Sequence, residues 1–227
     1  MEAAHADLER ATRALRVAVL ARDPAAAAWH ATLTGGLLAH MNHEETWIFP
    51  LFVGPYPANA TPEILNADHA RIRALLIATE AAAGDPVSAI ARCDRLSQLE
   101  GALEHHDRRE VRHVVPRLPP TAPVPELVRL PDFAPAAATA ADWGSPVVDD
   151  PVEALVFLLA GAAPWSAIRP VVAQLAARPA LPKAHRLATR AAEAASAEDR
   201  VATWDALRLL RAIPRNGAGG GGDVLIG

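Results

Sequence analysis

Two short stretches of this sequence carry the same chemistry in the same order: His40-Met-Asn-His-Glu44 followed by Pro50, and His106-Asp-Arg-Arg-Glu110 followed by Pro116. Both read HxxxE with a proline six residues beyond the glutamate, and they lie 66 residues apart. A similar offset of 64 relates His5 to His69, and the distances from single histidine to HxxxE, 35 and 37 residues, nearly agree. The repeating unit is therefore one histidine plus one HxxxE. Positions i and i+4 of an α-helix share a face, so imidazole and carboxylate point into the same space and can clamp a cation. In the core of a four-helix bundle, two clamps and two single histidines converge as four imidazoles and two carboxylates. Imidazole accommodates several transition metals, whereas two carboxylates able to bridge neighbouring cations point to a dinuclear non-haem iron or manganese centre.

Each residue also has a plainer reading. A lone His5 or His69 on an apolar stripe reads as a satisfied core histidine, and Glu44 or Glu110 as a solvated helical partner of its histidine. Both glutamates, however, fall on stripes of leucine and valine, where an unpaired carboxylate costs several kcal/mol or more. Six ligand-type residues on inward faces call for one explanation, and the expected metal ligands are His5, His40, Glu44, His69, His106 and Glu110. His43 and His113 are adjacent candidates for an extra or supporting role, with His113 on the stripe of His106 and Glu110 where the other half has Trp47. His105 reads as a surface or supporting residue, and His30 and His185 as incidental. Cys93 reads as a small core residue.

The elements that must position these groups are helical. Residues 4–21 place Leu8, Leu15 and Val19 at helical spacing before Asp23-Pro24; a second helix is expected from about 25 to 52, with Gly35-Gly36 allowing close helix contact. Thr61-Pro62-Glu63 reads as the cap, first position and acidic first turn of a third helix ending near Ala83-Gly84. The fourth starts near Asp85-Pro86 and stops at Pro116. Nine prolines in the 36 residues from Pro116 to Pro151 read as an extended linker or a strap over a surface. Further helices are expected from Asp150-Pro151 to about Gly161 and near 165–177, 182–195 and 197–212, with a flexible tail around Gly219 to Gly222. The domain reading is thus a metal-binding bundle over 1–118, a Pro-rich linker over 119–150, a helical C-terminal region over 151–213 and a Gly-rich tail over 214–227.

Composition agrees with an all-α chain: 227 residues, 51% apolar and only 4% aromatic, with alanine dominant. A net charge of -4 without a long basic block argues against nucleic acid or an anionic membrane as partner. One cysteine excludes an internal disulfide framework and a thiolate metal cluster. No apolar run approaches the roughly 20 residues that span a bilayer, and the first twenty residues lack the basic start and apolar run of a secretory signal, so a cytoplasmic location is expected.

The stretches HMNHEETWIFP (His40 to Pro50) and HDRREVRHVVP (His106 to Pro116), with His5 and His69 as single-residue matches, resemble the hemerythrin-like (HHE cation-binding) family over residues 1–118. The resemblance implies an antiparallel four-helix bundle holding two irons, with His5, His40, His69 and His106 as ligands and Glu44 and Glu110 bridging. Oxygen-carrying members have a second histidine one turn after that of the third helix; here the position is Arg73, which leaves one metal more open unless His43 or His113 substitutes. Bacterial-type members are associated with oxygen, nitric oxide or iron sensing and redox response. The leading expectation is a diiron protein binding O2 or NO in an apolar pocket that includes Leu37, Trp47, Ile72, Leu76 and Leu103. The alternatives are a diiron oxidase, oxygenase or peroxide-reducing enzyme acting on a small molecule, and an iron-responsive interaction module. In the last, the C-terminal helices would contact a protein partner or a second copy of the chain.

Overall fold

The computed structural model describes residues 2–51, 55–58, 60–80, 85–119, 129–131, 133–134, 137–178 and 181–213. Among these lie eight α-helices and no strand: α1 Glu2–Leu20, α2 Ala26–His43, α3 Pro62–Thr79, α4 Pro86–Arg109, α5 Pro151–Ala160, α6 Trp165–Ala176, α7 Pro182–Ser196 and α8 Arg200–Arg211. The starts of α3, α4, α5 and α8 follow from their caps. Thr61, Asp85, Asp150 and Asp199 stand in extended conformation and accept hydrogen bonds from the N–H groups of Ile64, Val87 and Ser88, Val152, and Ala202. In the first three a proline follows at a position where its missing N–H costs nothing. The Asp199 cap explains why α8 begins at Arg200, a few residues later than expected. The third helix closes at Thr79, whereas its expected end at Ala83-Gly84, like the Gly219 to Gly222 tail, lies outside the described residues.

Helices α2 and α4 continue beyond His43 and Arg109 in an unusual way. Each passes into a wider π-helical turn that opens on the motif glutamate, Glu44–Ile48 in one case and Glu110–Val114 in the other. The N–H of Phe49 bonds to the carbonyl of Glu44, and that of Val115 to the carbonyl of Glu110. Pro50 and Pro116 then enter a short 3-10 turn. A proline has no N–H for an α-helical bond and its ring collides with the carbonyl four residues back, so the turn ahead of it cannot remain regular. The two halves of the repeat therefore share backbone geometry as well as side chains.

Helix α1 packs on α2 and α4, and α3 packs on α4 and, sparsely, on α2. Of the later helices, α5 packs on α1 and α4 and α8 on α1, while α6 and α7 pack on α5 and α8, respectively: one continuous hydrophobic cluster includes Leu15, Leu96 and Leu99 together with Leu155, Trp204 and Leu207. Buried Arg16 crosses this seam, pairing with Glu100 and Asp205 and donating to Ser97 Oγ at 2.9 Å. A second, smaller cluster of Ile48, Phe49, Leu65 and Val114 closes the end of the bundle where both π turns lie. The described residues between Arg129 and Asp150 carry no regular structure and run over the helices. Phe133 meets Trp29 with ring centroids 5.4 Å apart, and the N–H groups of Thr139 and Ala141 bond to the carbonyls of Ala21 and Gly161. Gly36 has a different use from the helix contact expected of it: a Cβ there would lie 2.6 Å from Leu130, so the glycine admits this strap. No described helix is long and apolar enough to cross a membrane.

Candidate metal centre

His5 on α1, His40 at the end of α2, His69 in the middle of α3 and His106 at the end of α4 point inward at one level of the bundle. Glu44 and Glu110 join them from the first positions of the two π turns, both fully buried. Two groups of ligand atoms result. His5, His40, Glu44 and Glu110 form one, and Glu44, His69 and His106 form the other, with the ligand atoms of each within 4.8 Å of one another. Glu44 belongs to both. Its Oε1 lies 2.6 Å from His40 Nε2 and 3.5 Å from His5 Nε2, and its Oε2 lies 3.2 Å from His69 Nε2 and 3.6 Å from His106 Nε2. Glu110 also faces both groups, with Oε2 3.3 Å from His5 Nε2 and Oε1 3.6 Å from His106 Nε2.

These atoms are close without being satisfied. Glu44 Oε2, both carboxylate oxygens of Glu110 and His40 Nε2 are buried with no aligned hydrogen-bond partner. Buried polar atoms are normally hydrogen-bonded, and the exceptions need an explanation. His69 Nε2 and His106 Nε2 stand 3.0 Å apart. Two imidazole lone pairs cannot face each other at that distance unless a proton lies between them or a cation replaces it.

The electrostatics fit the same exchange of protons for cations. Burial alone would lower the pKa of His5, but the carboxylates of Glu110 and Glu44 overcome it and push His5 up to about 10. Burial is likewise overcome at His106 by Asp68 and Glu44, which push it up to about 10. Burial opposes ionisation of Glu44, yet the four surrounding imidazoles hold it well below the usual carboxylate range. Glu110 moves the other way, raised by burial and then by the charge of Glu44. Without a cation the cluster therefore retains protons, and a divalent cation would displace them.

Glu45 orients one ring from outside the ligand atoms, and two further carboxylates stand near the other rings. His69 Nδ1 donates to Glu45 Oε1 at 2.7 Å, and the same oxygen accepts from Arg73 Nη2 at 2.8 Å. Fixing the proton of His69 on Nδ1 leaves Nε2 as the ligand atom. Asp68 Oδ2 lies 3.7 Å from His106 Nδ1 and is itself paired with Arg109. Asp107 stands 3.9 Å from His5 Nε2. Arg73 thus supports His69 through Glu45.

A model of the hemerythrin HHE cation-binding domain matches residues 1–118 of this chain. The chain belongs to the hemerythrin HHE cation-binding family. No curated protein and no solved structure gives a significant match. The family match ends just beyond Pro116, so it covers both clamps and both single histidines and leaves the helices α5–α8 outside it.

The structure brings all six expected ligand residues of this hemerythrin-family chain together, but it does not place the two additional candidates among them. His113 was expected one turn beyond Glu110 on the inward stripe. Of the positions three and four residues beyond Glu110, Val114 is buried and His113 is only half-buried. In the other half Ile48 is buried and Trp47, expected in an interior pocket, is 46% exposed and stands at the edge of an open cavity. Leu37, Ile72, Leu76 and Leu103 are buried as expected. His43 is buried beside the centre and lines a cavity of about 480 Å³ together with His40, Gly35, Ala39, Trp47 and Leu130. His105 and His185 are exposed. His30 is less incidental than expected, since its Nε2 donates to Thr79 Oγ1 at 2.8 Å and joins α2 to α3. Glu45, Asp68 and Asp107 carry no spacing signal toward their partners; only their adjacency to Glu44, His69 and His106 could have drawn attention to them.

Proposed function

We propose that this chain holds two non-haem iron ions between His5, His40, Glu44, His69, His106 and Glu110 and binds dioxygen or nitric oxide there, in sensing, redox response or ligand binding. The observation that carries the reading is the sharing of Glu44 by two buried ligand groups. A single cation holding all four imidazoles and both carboxylates would keep no open position, and hard bridging carboxylates with imidazoles suit iron, with manganese as the chemical neighbour. Iron, when bound, supplies the change of oxidation state and an open position for a diatomic ligand. The chain's own groups do the rest. Glu44 and Glu110 offset the charge of the two cations, Glu45 and Arg73 keep His69 in one tautomer, and Leu37, Ile72, Leu76 and Leu103 exclude water from the walls. With Arg73 engaged by Glu45, the group of Glu44, His69 and His106 has one imidazole fewer than oxygen carriers provide, which favours an exchangeable ligand position over reversible oxygen storage.

The test is an absorption spectrum of iron-loaded protein before and after anaerobic reduction, then on addition of O2 or NO. A stable new band with either gas supports binding; spectra unchanged by both gases would overturn it. The cavity of about 480 Å³ beside His40 exceeds what a diatomic needs and favours, as a second reading, oxidation of a small organic molecule or reduction of peroxide. Under that reading Ala39→Trp, which fills the cavity, abolishes substrate turnover while NO binding at the reduced centre persists.

A further inference from the structure

A second cavity, of about 910 Å³, lies in the groove between α2 and α3, away from the ligand groups. Its origin is visible in the helices: Ala27, Ala31, Gly35 and Leu38 succeed one another on one face of α2, and where α2 and α3 stand apart the three small residues leave the space between them unfilled. The face extends about 17 Å at about 1.5 Å rise per residue. Leu76 and Ile77 form the opposite wall, and Ile77 and Leu38 are 73% and 43% exposed, an unusual outlay of apolar surface.

The polar groups in this groove differ in how far they are satisfied. Arg73 is committed to Glu45, His30 donates to Thr79, and Asp23 accepts from the N–H of Ala25. Arg92, on the second turn of α4, has no ion pair or hydrogen bond with the described residues, and its Nε is buried. Burial without an adjacent carboxylate pulls its pKa down from the ordinary value. Thr34 Oγ1 is likewise buried without a partner. A guanidinium with its Nε buried and unpartnered at one end of an apolar channel, and an unpartnered hydroxyl farther along, fit an acceptor with a hydrocarbon body. Glu80, the remaining carboxylate of the lining, is exposed.

We infer that this groove is a binding site for an amphipathic monocarboxylate, with its carboxylate at Arg92 and its hydrocarbon chain along Ala27, Ala31, Leu38 and Ile77. The site is independent of the metal centre and of any reaction there. It is tested by calorimetric titration of the full chain with decanoate, below its micelle concentration, with decanol and decyltrimethylammonium as uncharged and cationic controls. The expected result is saturable decanoate binding at one site per chain, present with and without metal, and at least tenfold weaker for decanol and for the cation. Arg92→Leu weakens decanoate at least tenfold and leaves decanol unchanged. Ala27→Phe, on an exposed face where a larger side chain enters the groove without disturbing the core, abolishes binding of both with unchanged helical circular dichroism. Absence of saturable binding, equal affinity for the three amphiphiles, or full affinity in folded Arg92→Leu would each overturn the assignment.

Discussion

Replacing Glu110 by glutamine distinguishes a cation site from a structural ion network, because the two predict opposite effects on stability. Glu110 is fully buried, and burial together with the charge of Glu44 already raises its pKa. Glutamine keeps the shape and removes the need to bury a second carboxylate. A carboxylate whose ionised form the folded state disfavours costs stability at pH 8, about 1.4 kcal/mol per pKa unit, and a neutral isostere removes that cost. In a chain of 227 residues, a gain of about 1–2 kcal/mol raises Tm by about 2–8 °C. In the metal-loaded protein the sign reverses. A cation at a hundred times its Kd contributes about 2.7 kcal/mol, so two would contribute about 5 kcal/mol, or about 10–20 °C, most of which Glu110→Gln forfeits. Calorimetric scans of both proteins at pH 8, in chelator and in excess ferrous iron under anaerobic conditions, should therefore cross: the variant melts higher without metal and lower with it. A variant destabilised in chelator by about 3–5 kcal/mol, with neither protein responding to iron, would mean that the cluster is a structural salt-bridge network.

The metal-free protein should lose stability as pH rises from about 6.5 to about 10, because His5 and His106 have pKa values raised from 6.5 to about 10 by their carboxylates. A raised folded pKa gives stability that is complete below the unfolded value and lost as the folded state deprotonates. The raised Glu110 acts in the same direction, while the depressed Glu44 gives stability that is lost on acidification. Iron-loaded protein should show the opposite slope over that window, since cations compete with the same protons; scans across pH with and without chelator check both. Glu45→Ala frees the His69 ring and should weaken the cation at Glu44, His69 and His106 about 10–100-fold, read by metal titration, and leave the other site near its original affinity. Trp204→Ala, in the core shared with the family-matched helices, should cost about 3–5 kcal/mol and lower the single unfolding transition of the whole chain; loss of only a minor separate transition would refute the common core. Native Cys93, 4% exposed and with a thiol pushed up to about 12 by burial, should resist a disulfide reagent at pH 8 and react on unfolding.

The helix starts and the six clustered residues were legible in the sequence because both rest on local chemistry. Thr61-Pro62, Asp85-Pro86 and Asp150-Pro151 each place a cap beside a proline, and His40 to Glu44 and His106 to Glu110 each carry a clamp within one turn. Periodicity was ambiguous where the helical turn widened. Spacings of three and four onward from Glu44 and Glu110 admit Trp47 and Ile48, and His113 and Val114; the π turns that open at the two glutamates bury only Ile48 and Val114. The prolines six residues beyond the glutamates were the available sign of that change. The groups orienting the rings were less accessible, because Glu45 reaches His69 from 24 positions away and Asp68 reaches His106 across two helices. Gly35-Gly36 signalled close approach without naming the neighbour: Leu130 passes over Gly36, and Gly35 faces open space. Nothing in the sequence linked α5–α8 to α1 and α4, since the Arg16 pair with Asp205 joins residues 189 positions apart.

The central claim is that Glu44 holds two metals at once, and the most direct test is iron content by mass spectrometry combined with Mössbauer spectroscopy on wild type and Glu44→Gln purified from iron-supplemented cells. Two magnetically coupled irons per wild-type chain, falling to one uncoupled iron or none in the variant, is the expected result. A single zinc, one isolated iron, or two irons that survive the substitution with their coupling intact would contradict a shared-carboxylate centre.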